Sequence, residues 1–256
     1  MTLVLNEIHI VDGLRNSFLV AAADRRVSKP DGTYDSTRRK LFLIPHLNGT
    51  ISYYGLACVY PRGKQQYLSE WLPNFIRAQS DTANVGLFAE KLRDSLHNVI
   101  KGDLLRRNAS GFHIFGYNND GYPEFWHLTN VGGLNEFKHI DLQQQYKRPS
   151  EDFLARDARV LGWNGTDPSS VKNAWVYRNG DFRLHVVASD LLDQVFSRMN
   201  QFSDFRQPGD IATYGKYVKF KFEVIAFIYK EWADKKIIAR PIDVIVVTSG
   251  GKVLQL

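Results

Sequence analysis

Cysteine is almost missing from this chain. Cys58 is the only one among 256 residues, so no internal disulfide framework can hold the fold. Its neighbours Ala57 and Val59 make it read as an inert core thiol. No run of about 18 apolar residues occurs, which excludes a transmembrane helix and a membrane partner from the expectation. The opening Met1-Thr2-Leu3-Val4-Leu5-Asn6-Glu7 lacks a basic leader and a small-residue cleavage site, so no secretory signal is expected and the default location is cytoplasmic. There is no Gly-x-Ser-x-Gly elbow, Walker loop or GxGxxG, so serine-hydrolase and nucleotide chemistry have no motif behind them. His9, His46, His97, His113, His127, His139 and His185 are scattered, and no HExxH pair joins any of them. Neither a metal site nor another cofactor is expected. Charge of one sign is not concentrated: 33 Lys+Arg against 27 Asp+Glu leaves +6, with the signs alternating. The short basic groups Arg25-Arg26-Lys29, Arg38-Arg39-Lys40 and Arg106-Arg107 read as solvated surface or local pairing, so nucleic acid is not an expected partner.

What is present is an ordinary globular composition, 44% hydrophobic and 23% charged. With no repeat and no linker, a single domain over residues 1–256 is expected, with an atypical segment at about 131–185. β-Branched and apolar residues place strands at 2–10, 18–23, 41–44 and 51–54, the last two joined across Asn48-Gly49. Helical spacing groups Leu68, Trp71, Leu72, Phe75 and Ile76, then Phe88, Leu92, Leu96 and Val99. A hairpin follows around Asn118-Asn119-Asp120-Gly121. Residues 131–173 read as loops with short elements, and Arg178-Asn179-Gly180-Asp181 as a turn. Leu191, Leu192, Val195 and Met199 predict a third helix; Val218, Phe222, Ile225, Tyr229 and Trp232 predict a fourth with one apolar face. Ile242 to Val247 reads as a buried strand. Strands and helices arranged in blocks argue an α+β class.

Three polar residues stand out at strand ends. Thr2 opens the first strand, Asp24 closes the second, and Lys40 precedes the third. If the first strands are neighbours in one sheet, these ends converge. The ordered set Thr2-Leu3-Val4, Leu19-Val20-Ala21-Ala22-Ala23-Asp24-Arg25-Arg26, Lys40-Leu41 and Tyr53-Tyr54-Gly55-Leu56-Ala57 resembles the proteasome β-subunit branch of the N-terminal nucleophile hydrolases. Phe115-Gly116-Tyr117 to Trp126 resembles that family's central hairpin, and Pro241-Ile242-Asp243 its closing strand.

The resemblance implies a four-layer αββα sandwich of two antiparallel sheets flanked by helices. It implies Thr2 as nucleophile, Asp24 and Lys40 as its acid–base couple, the Gly55 N–H as oxyanion donor and Asp234 as support for the amine. It also implies a peptide or other amide substrate, a homo-oligomer and an ATP-driven unfoldase as partner. The family's Ser-Gly-Gly is absent beside Asp234, with Ser249-Gly250-Gly251 falling too late, and Ser189 is the candidate for the family's other supporting Ser. Elementary chemistry fits these residue types. A threonine hydroxyl needs a base, and a free α-amine with a pKa of roughly 7.7–8.0 is one on the same residue. A lysine ammonium beside it depresses that pKa, and an aspartate keeps the lysine charged and oriented. All of this requires removal of Met1, because an acylated Thr2 has no free amine. The expected activity is a threonine-type amidohydrolase, most plausibly a peptidase. The alternative from another class is a catalytically silent scaffold or binding subunit of the same fold.

Overall fold

The computed structural model describes residues 2–11, 14–29, 31–134, 140–153, 174–199, 201–202 and 208–256. Met1, Asp12, Gly13, Pro30 and, within the 131–185 segment, residues 135–139 and 154–173 lie outside the described residues.

The chain is a mixed α/β protein with two five-stranded antiparallel sheets. The first sheet is built from β1 (Leu3–Ile10) and β2 (Ser17–Asp24). The second contains β3 (Leu41–Ile44), β4 (Gly49–Tyr54), β5 (Gly111–Tyr117), β6 (Pro123–Thr129) and β7 (Ser150–Phe153), in the order β7-β6-β5-β4-β3. Three later strands return to the first sheet: β8 (Ala174–Gly180), β9 (Ile242–Thr248) and β10 (Val253–Gln255), giving β8-β1-β2-β9-β10. Helices α1 (Leu68–Ala78), α2 (Val85–Val99) and the short α3 (Gly102–Arg107) lie between β4 and β5; α4 (Arg183–Met199) and α5 (Ile211–Trp232) lie between β8 and β9.

Strand β1 sends apolar residues to both of its faces, with Asn6, Glu7 and His9 interspersed. Successive side chains alternate between faces. Val4, Ile8 and Ile10 enter a cluster with Leu41, Tyr54, Phe115, Phe125 and Phe153 of the second sheet. Leu3 and Leu5 enter another with Val218, Phe222 and Ile225 of α5. Both faces are covered, and the buried Asn6 and Glu7 are bound by side chains, His113 on one face and His9 and Tyr214 on the other. The outer face of the second sheet closes against α1 and α2 through Ile51, Phe112, Leu72, Phe88, Leu92 and Leu96. Helix α2 starts at Asn84, whose side chain accepts from the Leu87 N–H at 2.8 Å. Helix α5 starts with a reciprocal cap, Asp210 accepting from the Ala212 and Thr213 N–H groups while Thr213 Oγ1 accepts from the Asp210 N–H. Each such cap supplies acceptors for orphan helix donors.

Several expectations are corrected here. Arg178-Asn179-Gly180 is not a turn but the end of β8, with Gly180 opposite Leu3. Asn48-Gly49 is preceded by a 3₁₀ turn at Pro45–Leu47, and Asn48 adopts left-handed backbone at φ 42°. The fourth helix buries Val218, Phe222, Ile225 and Tyr229 as predicted, but Trp232 at its end is 72% exposed. The third helix buries His185, Ala188 and Ser189, whereas Leu191 and Val195 stand exposed. Among the described residues no helix is long and apolar enough to cross a membrane.

Candidate functional site

The register of the first sheet puts the start of β1 beside the end of β2, with Val4 opposite Ala23. Thr2 and Asp24 are therefore adjacent by strand pairing alone. In the second sheet Leu41 faces Ser52, so the residue before β3 and the residue after β4 share one end of that ladder. Those residues are Lys40 and Gly55. Lys40 thus reaches Thr2 from the other sheet, not from a neighbouring strand of the same one.

Thr2 is 2% exposed, Asp24 0% and Lys40 3%. The Thr2 hydroxyl donates to Asp24 Oδ1, and the Lys40 ammonium donates to Thr2 Oγ1 and to the Arg26 carbonyl. Lys40 Nζ also lies 3.3 Å from Asp24 Oδ2. The carboxylate is fixed by two backbone donors, the N–H groups of Leu3 and Arg26, each at 2.9 Å. Burial pushes the Lys40 ammonium below the usual lysine range, and the Asp24 carboxylate opposes that push. A hydroxyl that accepts from an ammonium is more acidic than one in water, and it has a fixed direction of attack.

Thr2 and Lys40 form the floor of a cleft of about 450 Å³ whose walls include Gly55, Cys58, Tyr60 and Tyr67. This volume suits a small ligand or one substrate side chain. Gly55 has φ +83°, a left-handed backbone conformation, and a Cβ there would lie 2.7 Å from the Ser110 Cα. Glycine is thus required for both conformation and space. Cys58 is half-buried on the cleft wall, not sealed in the core, and burial raises its thiol.

Two of the candidate residues fall elsewhere. Asp234 is exposed on the segment after α5, outside the cluster around Thr2. Ser189 is buried between helices, where its Oγ accepts from Lys221 Nζ at 3.2 Å. The sequence had placed no function on Gly180 and Asp181, yet these hold Thr2 from the other side: the Asp181 N–H donates to the Thr2 carbonyl at 2.8 Å. The Asp181 side chain is 4% exposed. Burial works to raise its carboxyl, but hydrogen bonds from Arg183 and Tyr229 outweigh burial and hold it below the usual range. The one signal for this position was the Asn-Gly-Asp sequence, which reads equally well as a turn. Among the described residues no group of three or more His, Cys, Asp or Glu side chains could hold a metal ion.

The fold and site define a mixed α/β protein of two antiparallel sheets carrying a buried Thr–Asp–Lys cluster at their shared end. Among solved structures, the chain is similar to Anbu (ancestral beta-subunit) from Yersinia bercovieri, at 11% identity over 98% of this chain and 86% of that one, with a TM-score of 0.48. It is also similar to a Gly-1 mutant of Anbu from Hyphomicrobium sp. strain MC1, at 12% identity over 100% of this chain and 86% of that one, with a TM-score of 0.49. No family model and no curated protein matches. The resemblance drawn from Thr2, Asp24, Lys40 and Gly55 is corrected accordingly: the similar structures are Anbu proteins, and membership of the N-terminal nucleophile hydrolases does not stand.

Proposed function

We propose that this protein is a threonine-type amidohydrolase, most plausibly a peptidase, with Thr2 as nucleophile once Met1 is removed. The observation that carries this is the Lys40 ammonium donating to Thr2 Oγ1 while Asp24 binds both groups. The α-amine of Thr2 takes the proton from Oγ1 as the oxygen attacks the substrate amide carbon. The tetrahedral oxyanion is stabilised by the Gly55 N–H; a donor of this kind is worth on the order of 10²–10³ in rate. The proton then passes to the leaving amine, the C–N bond breaks, and an ester remains on Thr2. Water, deprotonated by the same amine, hydrolyses the ester and restores the hydroxyl.

Three clusters of apolar side chains, one between the sheets and one outside each, support a four-layer αββα arrangement within one domain. An oligomer belongs to the same proposal: Val187, Leu191 and Val195 leave an exposed apolar stripe along α4. An ATP-driven unfoldase rested on the family resemblance alone, and the present proposal does not draw on it.

The decisive measurement is the intact mass of the purified protein, followed by turnover of an amide substrate by a Thr2→Ala variant. Loss of Met1 and loss of turnover in the variant are expected. A mass that retains Met1, or unchanged hydrolysis, overturns the enzyme. Failure of a β-lactone to acylate Thr2 favours the silent scaffold or binding subunit.

A further inference from the structure

The cleft beside Thr2 carries an unbalanced charge. Arg26, Lys29 and Lys40 line it, and among the described residues no aspartate or glutamate does. Lys40 is offset by Asp24. Arg26 is not offset in the same way: its guanidinium donates to the Lys236 carbonyl and, at 3.3 Å, to the Ser36 hydroxyl, and it sits 4.9 Å over the Tyr34 ring. All three partners are neutral. Lys29 is exposed and takes part in no ion pair among the described residues; its charge acts at a distance on the Asp31 carboxylate, itself exposed. Behind the lining residue Tyr60, Lys101 Nζ lies 5.6 Å over its ring without itself lining the cleft. Glu70 and Asp35 are both bound by Arg38. The rest of the lining mixes apolar and aromatic side chains, Leu56, Tyr60, Tyr67 and Leu104, with the uncharged polar Ser28, Gln65 and Asn108.

We propose that the cleft selects an amide substrate with an acidic side chain next to the bond that Thr2 attacks, the carboxylate being held between Arg26 and Lys29. This rests on the amidohydrolase proposal and names its substrate class. A cleft lined by cations with low-dielectric walls focuses potential on an anion. An uncharged isostere loses that term and keeps the packing. A cationic side chain meets repulsion.

The test uses the processed full-length protein and peptide amides identical except for Glu, Gln, Leu or Lys before the scissile bond. We expect kcat/KM for Glu to exceed that for Gln by about tenfold at low salt, a ratio that shrinks toward unity at 1 M salt as the charges are screened. Lys29→Glu, an exposed change, should lower the Glu-to-Gln ratio toward or below unity. Matched β-lactones, with adducts mapped to Thr2 by peptide mass, keep the two claims apart. If Thr2 is acylated but Gln or Leu peptides react as well as Glu, the selectivity is wrong and the nucleophile stands. If the processed protein cleaves none of the peptides and Thr2 takes no adduct, both fall.

Discussion

Gly180 offers a direct test of how Thr2 is held. It is the last residue of β8, opposite Leu3, with φ +88°. A Cβ placed there would sit 2.8 Å from the Thr2 carbonyl carbon and inside the envelope of the carbonyl oxygen. That same oxygen accepts the Asp181 N–H. Alanine at Gly180 therefore meets two penalties. The left-handed backbone costs a residue with a side chain about 1–2 kcal/mol. The steric conflict forces the Thr2 carbonyl to retreat by roughly 1 Å, because carbon and oxygen repel steeply inside contact distance. Gly121 separates the two: its φ is +76° and a Cβ there would meet nothing within 4 Å. Gly121→Ala should lower stability by about 1–2 kcal/mol from backbone strain alone. Gly180→Ala should lose clearly more in urea denaturation. It should also slow acylation of Thr2 by about 10²-fold, the usual penalty for a displacement of that size at a reacting atom. Equal denaturation midpoints for the two variants, with normal acylation in Gly180→Ala, would refute the claim that β8 positions Thr2.

Lys40→Met leaves Asp24 as an unpaired buried charge and should cost about 3–5 kcal/mol, while Lys40→Met combined with Asp24→Leu should recover much of that loss without restoring acylation; denaturation and labelling of the three proteins check both. Activity of the processed enzyme should rise with pH to a plateau with a midpoint below about 7.7, since the Lys40 charge depresses the Thr2 amine that must be neutral, and kcat/KM against pH measures it. Burial pushes His185 down to about 4, so the folded state holds it neutral where the unfolded chain protonates it. Stability from this group is full above the unfolded value near 6.5 and falls by up to about 1.4 kcal/mol per pH unit between there and about 4; His185→Gln should flatten that part of the stability profile in urea titrations.

Much of this architecture was legible because its strong signals are local. The β5–β6 hairpin has a turn sequence between two apolar strands, and α1 and α2 bury one periodic face. Asp24 and Lys40 were legible for a related reason: each stands at the boundary of a strongly apolar strand, where a polar residue is conspicuous. Strand β8 was not. Its residues are only partly buried, it carries no clean alternation, and it belongs to the sheet only through pairing with β1 far away in sequence. Reading Asn179-Gly180 as a turn followed from local chemistry and missed that pairing. The same gap moved the expected support for Thr2 to Asp234, which stands in solvent, and away from Asp181. Helical periodicity likewise fixed where α4 and α5 run but not how far their faces are covered. Trp232 fits the apolar face of α5 by its spacing and still is exposed at the helix end.

The Thr2–Asp24–Lys40 cluster is hard to explain as a stabilising device. Burying an ammonium and a carboxylate forfeits hydration that their mutual attraction repays only in part, and two apolar side chains of similar size would hold the same corner at least as well. The geometry also exceeds what an ion pair needs. Asp24 is already fixed by the Leu3 and Arg26 N–H groups, and Lys40 by the Arg26 carbonyl, so the pair would be rigid without Thr2. Yet the Thr2 hydroxyl sits between the two charges, donating to one and accepting from the other, in a cleft whose other lining cations, Arg26 and Lys29, make no ion pair among the described residues. Buried charges arranged around a hydroxyl at an accessible cleft are what a nucleophile requires and what a core does not. The cluster draws its parts from two sheets and three strand ends, so small shifts in sheet packing alter it before they unfold the protein. Acylation of Thr2 is for that reason the more sensitive reporter of this corner than any stability measurement.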